Sequence, residues 1–142
     1  MSNKRLIDNW LLRNCPRYRL WRICKAIGIK PYLWQRWFAL GKIDQLPDDL
    51  VDMPCTGKTV AIMLRILMIP KNNAAAWAEA GRCIQLDPDY YPNWDQNRLW
   101  WYSGEYRRLK NLCLSAGIPV LQVEIYRMLR EFAATRLVND TV

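Results

Sequence analysis

This sequence predicts an all-α fold: a compact array of seven to nine short helices built from helix-turn-helix-like units. Three observations carry that prediction. Apolar residues recur at three- and four-residue spacing, as in Leu20, Ile23, Cys24 and Ile27, which is the period of an amphipathic helix. Proline or glycine stands where each pattern breaks, at Pro16, Gly28, Pro31 and Gly41, residues suited to helix starts and left-handed exits. Finally, Cys24, Gly28, Ile29, Trp34 and Trp37 have the small–glycine–aliphatic–large spacing of a helix-turn-helix.

The elements follow in order. Residues 4–14 read as a helix with Leu6, Ile7, Trp10 and Leu11 on its apolar face, broken at Cys15 and Pro16. Residues 17–27 form a second helix, and Gly28 supplies the backbone freedom that a tight interhelical turn needs. A third starts at Pro31, turns Trp34, Trp37 and Phe38 inward, and ends at Gly41. A turn from Leu46 leads into a further short helix near Pro47.

The pattern then echoes itself. Ile29 is followed by Trp37 at eight residues and Gly41 at twelve; forty residues on, Ile69 is followed by Trp77 and Gly81 at the same intervals. A third echo places Cys113, Gly117 and Ile118 like Cys24, Gly28 and Ile29. Repeats of this kind decide the architecture, and they divide the chain into a basic unit (1–53), a second unit (54–85), and an aromatic linker with a third unit (86–142). In the linker, Pro88 and Pro92 make a loop, and Asp95 caps a helix over residues 96–102. From Ala133 the pattern weakens into a fraying tail.

Composition narrows the function. Apolar residues are 51% of the chain and charged ones 24%, so it folds rather than remaining disordered. There is no histidine, and the five cysteines form no C-x-x-C pair. That argues against a zinc site and for reduced, buried thiols, and it removes the usual general base. We therefore expect no catalytic residues, no metal, no cofactor and no enzymatic activity. No apolar run reaches a membrane span and the start lacks a signal-peptide core, so a cytoplasmic protein without membrane contact is expected. The segment Thr56-Gly57-Lys58-Thr59 resembles the end of a phosphate-binding loop, but Asp52 stands where that pattern needs glycine. We read it as a turn before a helix.

The charge is concentrated. The net charge is +8, and residues 1–45 hold ten basic side chains against Asp8 and Asp44, so the first third alone accounts for all of it. A basic excess confined to a helix-turn-helix points to a polyanion-binding surface. If the helix after Gly28 lies in the DNA major groove, its outer face offers Lys30, Tyr32, Gln35 and Arg36. Gln35 suits adenine and Arg36 guanine, while Arg17, Arg19, Lys30, Tyr32 and Lys42 suit phosphate or sugar.

Residues 20–53 resemble the Cro and phage-repressor class of helix-turn-helix proteins. Ile23-Cys24-Lys25-Ala26-Ile27-Gly28-Ile29 is similar to that class's scaffold helix and turn, Trp34-Gln35-Arg36-Trp37 to its recognition helix, and Gly41-Lys42-Ile43 with Leu46-Pro47 to its exit. The resemblance implies a small transcriptional regulator, phage or mobile-element encoded, that binds double-stranded DNA, commonly as a dimer. Cys24 in place of the usual alanine, bulky Trp34, and the two further units depart from the class.

The later units lack a base-reading face. In the third, Pro119, Val120, Leu121, Glu124 and Ile125 present an apolar, acidic surface suited to protein. The alternative function is therefore a protein-binding modulator, such as a phage factor or antirepressor. It would capture a host regulator, polymerase or replication protein, or a second copy of itself, through Tyr90, Tyr91, Trp94, Trp101, Leu121 and Ile125. RNA binding shares the charge argument and would show as single-strand preference.

Overall fold

The computed structural model describes residues 3–47, 49, 57–87, 96–122 and 127. Among them are six helices and no strand: α1 (Asn3–Asn14), α2 (Pro16–Ile27), α3 (Leu33–Ala39), α4 (Lys58–Leu67), α5 (Ala74–Gln85) and α6 (Gln96–Ser115). The all-α class is as expected. The short helix expected near Pro47, the Pro88–Pro92 loop and the tail from Ala133 fall largely or wholly outside the described residues.

The break between α1 and α2 comes from Cys15, extended at φ −118°, followed by Pro16 in the first turn of α2, where its missing N–H costs nothing. The two helices pack on each other through a polar cluster. Tyr18 and Arg22 of α2 both donate to the Asp8 carboxylate of α1, and Arg22 also donates to the Ala116 carbonyl at 2.8 Å. Burial alone would raise the Asp8 pKa, but the hydrogen bonds from Tyr18 and Arg22 outweigh it and hold it below the usual carboxylate value.

This cluster fixes the rotation of α1. Asp8 and Leu12, one turn apart, face inward, and Leu12 is buried. Most of the expected apolar face is thereby turned outward: Leu6, Ile7 and Trp10 are exposed, and only Leu11 is partly buried.

Gly28 leaves α2 in the left-handed conformation at φ 76°, with the Gly28 and Ile29 amides both donating to the Cys24 carbonyl. The third unit uses the same exit. Gly117 lies at φ 79°, and Ile118 donates to the Cys113 carbonyl at 3.0 Å. The sequence echo between Cys24-Gly28-Ile29 and Cys113-Gly117-Ile118 is therefore an echo of one helix-ending motif.

The second unit differs, because α4 ends at Met68 in ordinary helical geometry and Gly81 lies inside α5. The linker differs too. The short helix expected over residues 96–102 is the start of α6, which runs unbroken for 20 residues.

Helix α4 is the centre of the core, with Ala61, Ile62, Met63, Leu64, Ile66 and Leu67 buried. Helices α3, α5 and α2 pack against it, and α6 packs on α2. Arg65 leaves its outer side to lie over the Phe38 ring at 4.7 Å and to donate to the Ile43 carbonyl and the Asp44 carboxylate, clamping the segment after α3.

Arg19 lies on the inward stripe of α2 with Ile23, and is 2% exposed. Its guanidinium donates to the carbonyls of Leu12 (3.4 Å), Leu67 (2.7 Å) and Pro119 (2.6 Å). Two of these acceptors lie in the last turns of α1 and α4, where unpaired carbonyls and the helix dipole favour a cation. Burial lowers the Arg19 pKa to about 10, so the group remains charged at neutral pH.

Candidate nucleic-acid interface

Helices α2 and α3 enclose a groove of about 520 Å³. Its apolar floor and walls include Leu20, Trp21 and Cys24 from α2, Ile29 from the turn, and Leu33, Trp37 and Leu40 from α3 and its exit. Arg17, Lys25, Lys30, Arg36 and Lys42 stand around it, and all five are exposed. No carboxylate lines it among the described residues.

The local folding explains this composition. Helix α3 starts at Leu33, two residues later than Pro31 implied, with extended Tyr32 at its N-terminal cap. Its outward face consequently carries Leu33 and Trp37 with the expected Arg36, while Gln35, expected there, is buried. Ala39 is buried, and Trp37, expected inward, is 42% exposed. Phe38 is fully buried and Trp34 packs partly against the core, as the inward stripe required.

Gln35 is the clearest correction. It is 4% exposed and spends its amide on the fold: Oε1 accepts from the Tyr32 amide at 2.8 Å, and Nε2 donates to the Gly57 carbonyl at 3.0 Å. At the third position of α3 a glutamine side chain reaches back to the helix start, as in one half of a capping box. It cannot read a base from there.

Arg19 is the second correction, since its guanidinium is consumed by three backbone carbonyls in the interior. The other expected contacts, Arg17, Lys30, Tyr32, Arg36 and Lys42, are exposed, with Tyr32 at 67%, and the four cations line the groove.

Sequence reasoning missed Trp21, Lys25, Leu33 and the outward turn of Trp37. Trp21 is 55% exposed, with Lys25 Nζ 5.1 Å from its ring centroid and the Tyr18 ring 5.8 Å away. The available signal was a tryptophan off the Leu20–Ile23–Cys24–Ile27 stripe with Arg17, Arg22 and Lys25 around it. An aromatic in such a place has no core to fill.

The expected protein interface is reduced as well. Leu121 is fully buried, with Ile118 and Val120, because the chain after Gly117 folds back on α6, where Tyr106 donates to the Leu121 carbonyl at 3.0 Å. The apolar run read as a docking face is core there. Trp101 is exposed at 53%, beside Trp100 at 61%. Tyr90, Tyr91, Trp94 and Ile125 lie outside the described residues.

Among the described residues, no cluster of acidic and cysteine side chains is arranged to hold a metal ion. No helix among them is long and apolar enough to cross a membrane. Comparison with protein-family models, curated proteins and solved structures finds no match to this chain.

Proposed function

We propose that this chain is a small DNA-binding protein that presents the α2–α3 face to its target and regulates by occupancy or recruitment, without chemistry of its own. One observation carries the reading: five exposed cations and no carboxylate surround the groove between two helices joined by a left-handed glycine turn. Cations in that arrangement supply phosphate affinity and steering. The resemblance of residues 20–53 to Cro-like regulators supports the same face and adds the expectation of a phage or mobile-element origin.

The contact set is Arg17, Lys25, Lys30, Tyr32, Arg36 and Lys42, without Arg19 and Gln35. With Gln35 withdrawn, Arg36 is the remaining expected base reader, so affinity should depend strongly on salt and weakly on sequence.

The test is titration of a labelled DNA pool at several salt concentrations. Arg17→Ala and Lys30→Ala should each weaken binding to all sequences and lower the salt slope by about one. Arg36→Ala should in addition relax any sequence preference. Arg19→Met should leave the slope of the folded protein unchanged. Absence of binding at low salt would defeat the reading.

A second reading rests on the exposed Trp100–Trp101 pair of α6, aromatics being enriched where proteins meet. Loss of a captured host protein on Trp101→Ala, with DNA binding intact, would favour it.

A further inference from the structure

We propose that the groove between α2 and α3 takes unpaired nucleobases, so that this protein prefers a single strand, DNA or RNA, over a duplex. The inference rests on the nucleic-acid reading above and specifies its ligand.

The argument starts from an excess that duplex docking does not explain. A helix that reads the major groove uses polar tips at base edges and needs a convex, hydrated face. Here the face is concave and apolar. Trp21 on the α2 side and Trp37 on the α3 side both line the cleft and are 55% and 42% exposed, and Leu33 is 59% exposed. Large apolar side chains left in water at one place mark a binding surface.

The cleft volume of about 520 Å³ falls within the roughly 300–1,000 Å³ of small-molecule pockets, room enough for a base. Its chemistry is that of a single-strand site: aromatic faces on which bases stack, with cations placed to follow the phosphates. Arg17, Lys25, Lys30, Arg36 and Lys42 provide the second part. Lys25, over the Trp21 ring, holds positive charge directly beside a stacking surface.

An acidic amphipathic peptide would meet the same cations. The aromatic faces favour the nucleobase instead, because planar bases gain from two tryptophans what an aliphatic side chain gains from any apolar wall.

The experiment is fluorescence anisotropy with the full chain and four labelled probes at one low salt concentration. These are a mixed-sequence 20-nucleotide DNA strand, the same strand as a duplex, the RNA equivalent, and an acidic amphipathic peptide. At least one single strand should bind about tenfold or more tighter than the duplex. DNA and RNA arms then identify which sugar is preferred. Trp37→Ala and Trp21→Ala should each weaken single-strand binding about tenfold and duplex binding by much less, whereas Trp37→Phe should retain most of the single-strand affinity. Circular dichroism of each variant verifies that the fold persists.

Equal affinity for strand and duplex, with no effect of the tryptophan variants, would overturn this inference and leave DNA binding standing. Binding to none of the nucleic acids would defeat both. Tighter binding of the peptide than of any strand would transfer the groove to a protein partner.

Discussion

Gln35 shows how one side chain can hold two elements in register. Its amide joins the start of α3, at the Tyr32 N–H, to the start of α4, at the Gly57 carbonyl. Gly57 is suited to its place on two counts: it lies at φ 83°, which favours glycine, and a Cβ there would press on Gln35 Nε2, which its two hydrogen bonds hold in place. Gln35→Ala should cost about 1–2 kcal/mol by removing a helix-end bond and a buried tie. Gly57→Ala should cost at least as much. The double variant should lose less than the sum, because shortening Gln35 relieves the clash. Urea unfolding of the four proteins checks this, and strict additivity would separate the two residues.

Neither role was legible beforehand. A glutamine at this position of a helix-turn-helix reads equally as a base contact, and only the start of α3 at Leu33, with Gly57 brought alongside, decides. Arg19 was illegible for a similar reason: its acceptors are carbonyls, which every residue has and no sequence marks.

The helical elements were legible because period, proline and glycine agree. Pro16 opens α2, and Gly28 and Gly117 close their helices through the same left-handed exit. No heavy atom lies within 4 Å of a Cβ built at either glycine. Gly28→Ala and Gly117→Ala should therefore cost about 1 kcal/mol each, the backbone strain alone. Thermal unfolding measures both, and a much larger loss at one would reveal a packing role.

The faces of the helices were read less well than the helices themselves. Helix α1 was expected to bury Leu6, Ile7 and Trp10, but the Asp8 cluster with Tyr18 and Arg22 turns that side to water. Hydrophobic period finds a stripe; it does not choose between two stripes when a half-buried polar contact favours the poorer one. In α3, a start two residues later withdrew Gln35 and put Leu33 and Trp37 on the outer face. The site changed from a row of base readers into an aromatic cleft, while its surrounding charge, legible from the first 45 residues, stayed.

At the scale of the whole molecule, the core carries ionisable groups that folding keeps neutral. Burial pushes the thiols of Cys24, Cys83 and Cys113 from 9.0 up to about 11, and burial likewise raises the Tyr106 phenol. A thiol with a raised folded-state pKa stabilises the fold fully below pH 9 and loses that contribution as pH climbs through 11, since the unfolded chain ionises first. Stability should thus fall between pH 9 and pH 10, before Arg19 near 10 adds an opposite trend. Urea midpoints at half-unit steps measure the decline. Cys83→Ala, which removes one such thiol, should flatten it, and a level profile in the unaltered protein would count against buried, neutral thiols.

The three carbonyls around Arg19 also set an order of events. Leu67 lies 48 residues along the chain from Arg19, and Pro119 lies 100. During synthesis α2 leaves the ribosome with only the Leu12 carbonyl in reach of its buried cation, and the site can close only when Leu67 and then the last third of the chain arrive. The basic module is consequently not portable. A fragment of residues 1–53 should remain largely unfolded by circular dichroism, and adding residues 54–122 in trans should restore helix content, together with the nucleic-acid binding proposed for the α2–α3 groove.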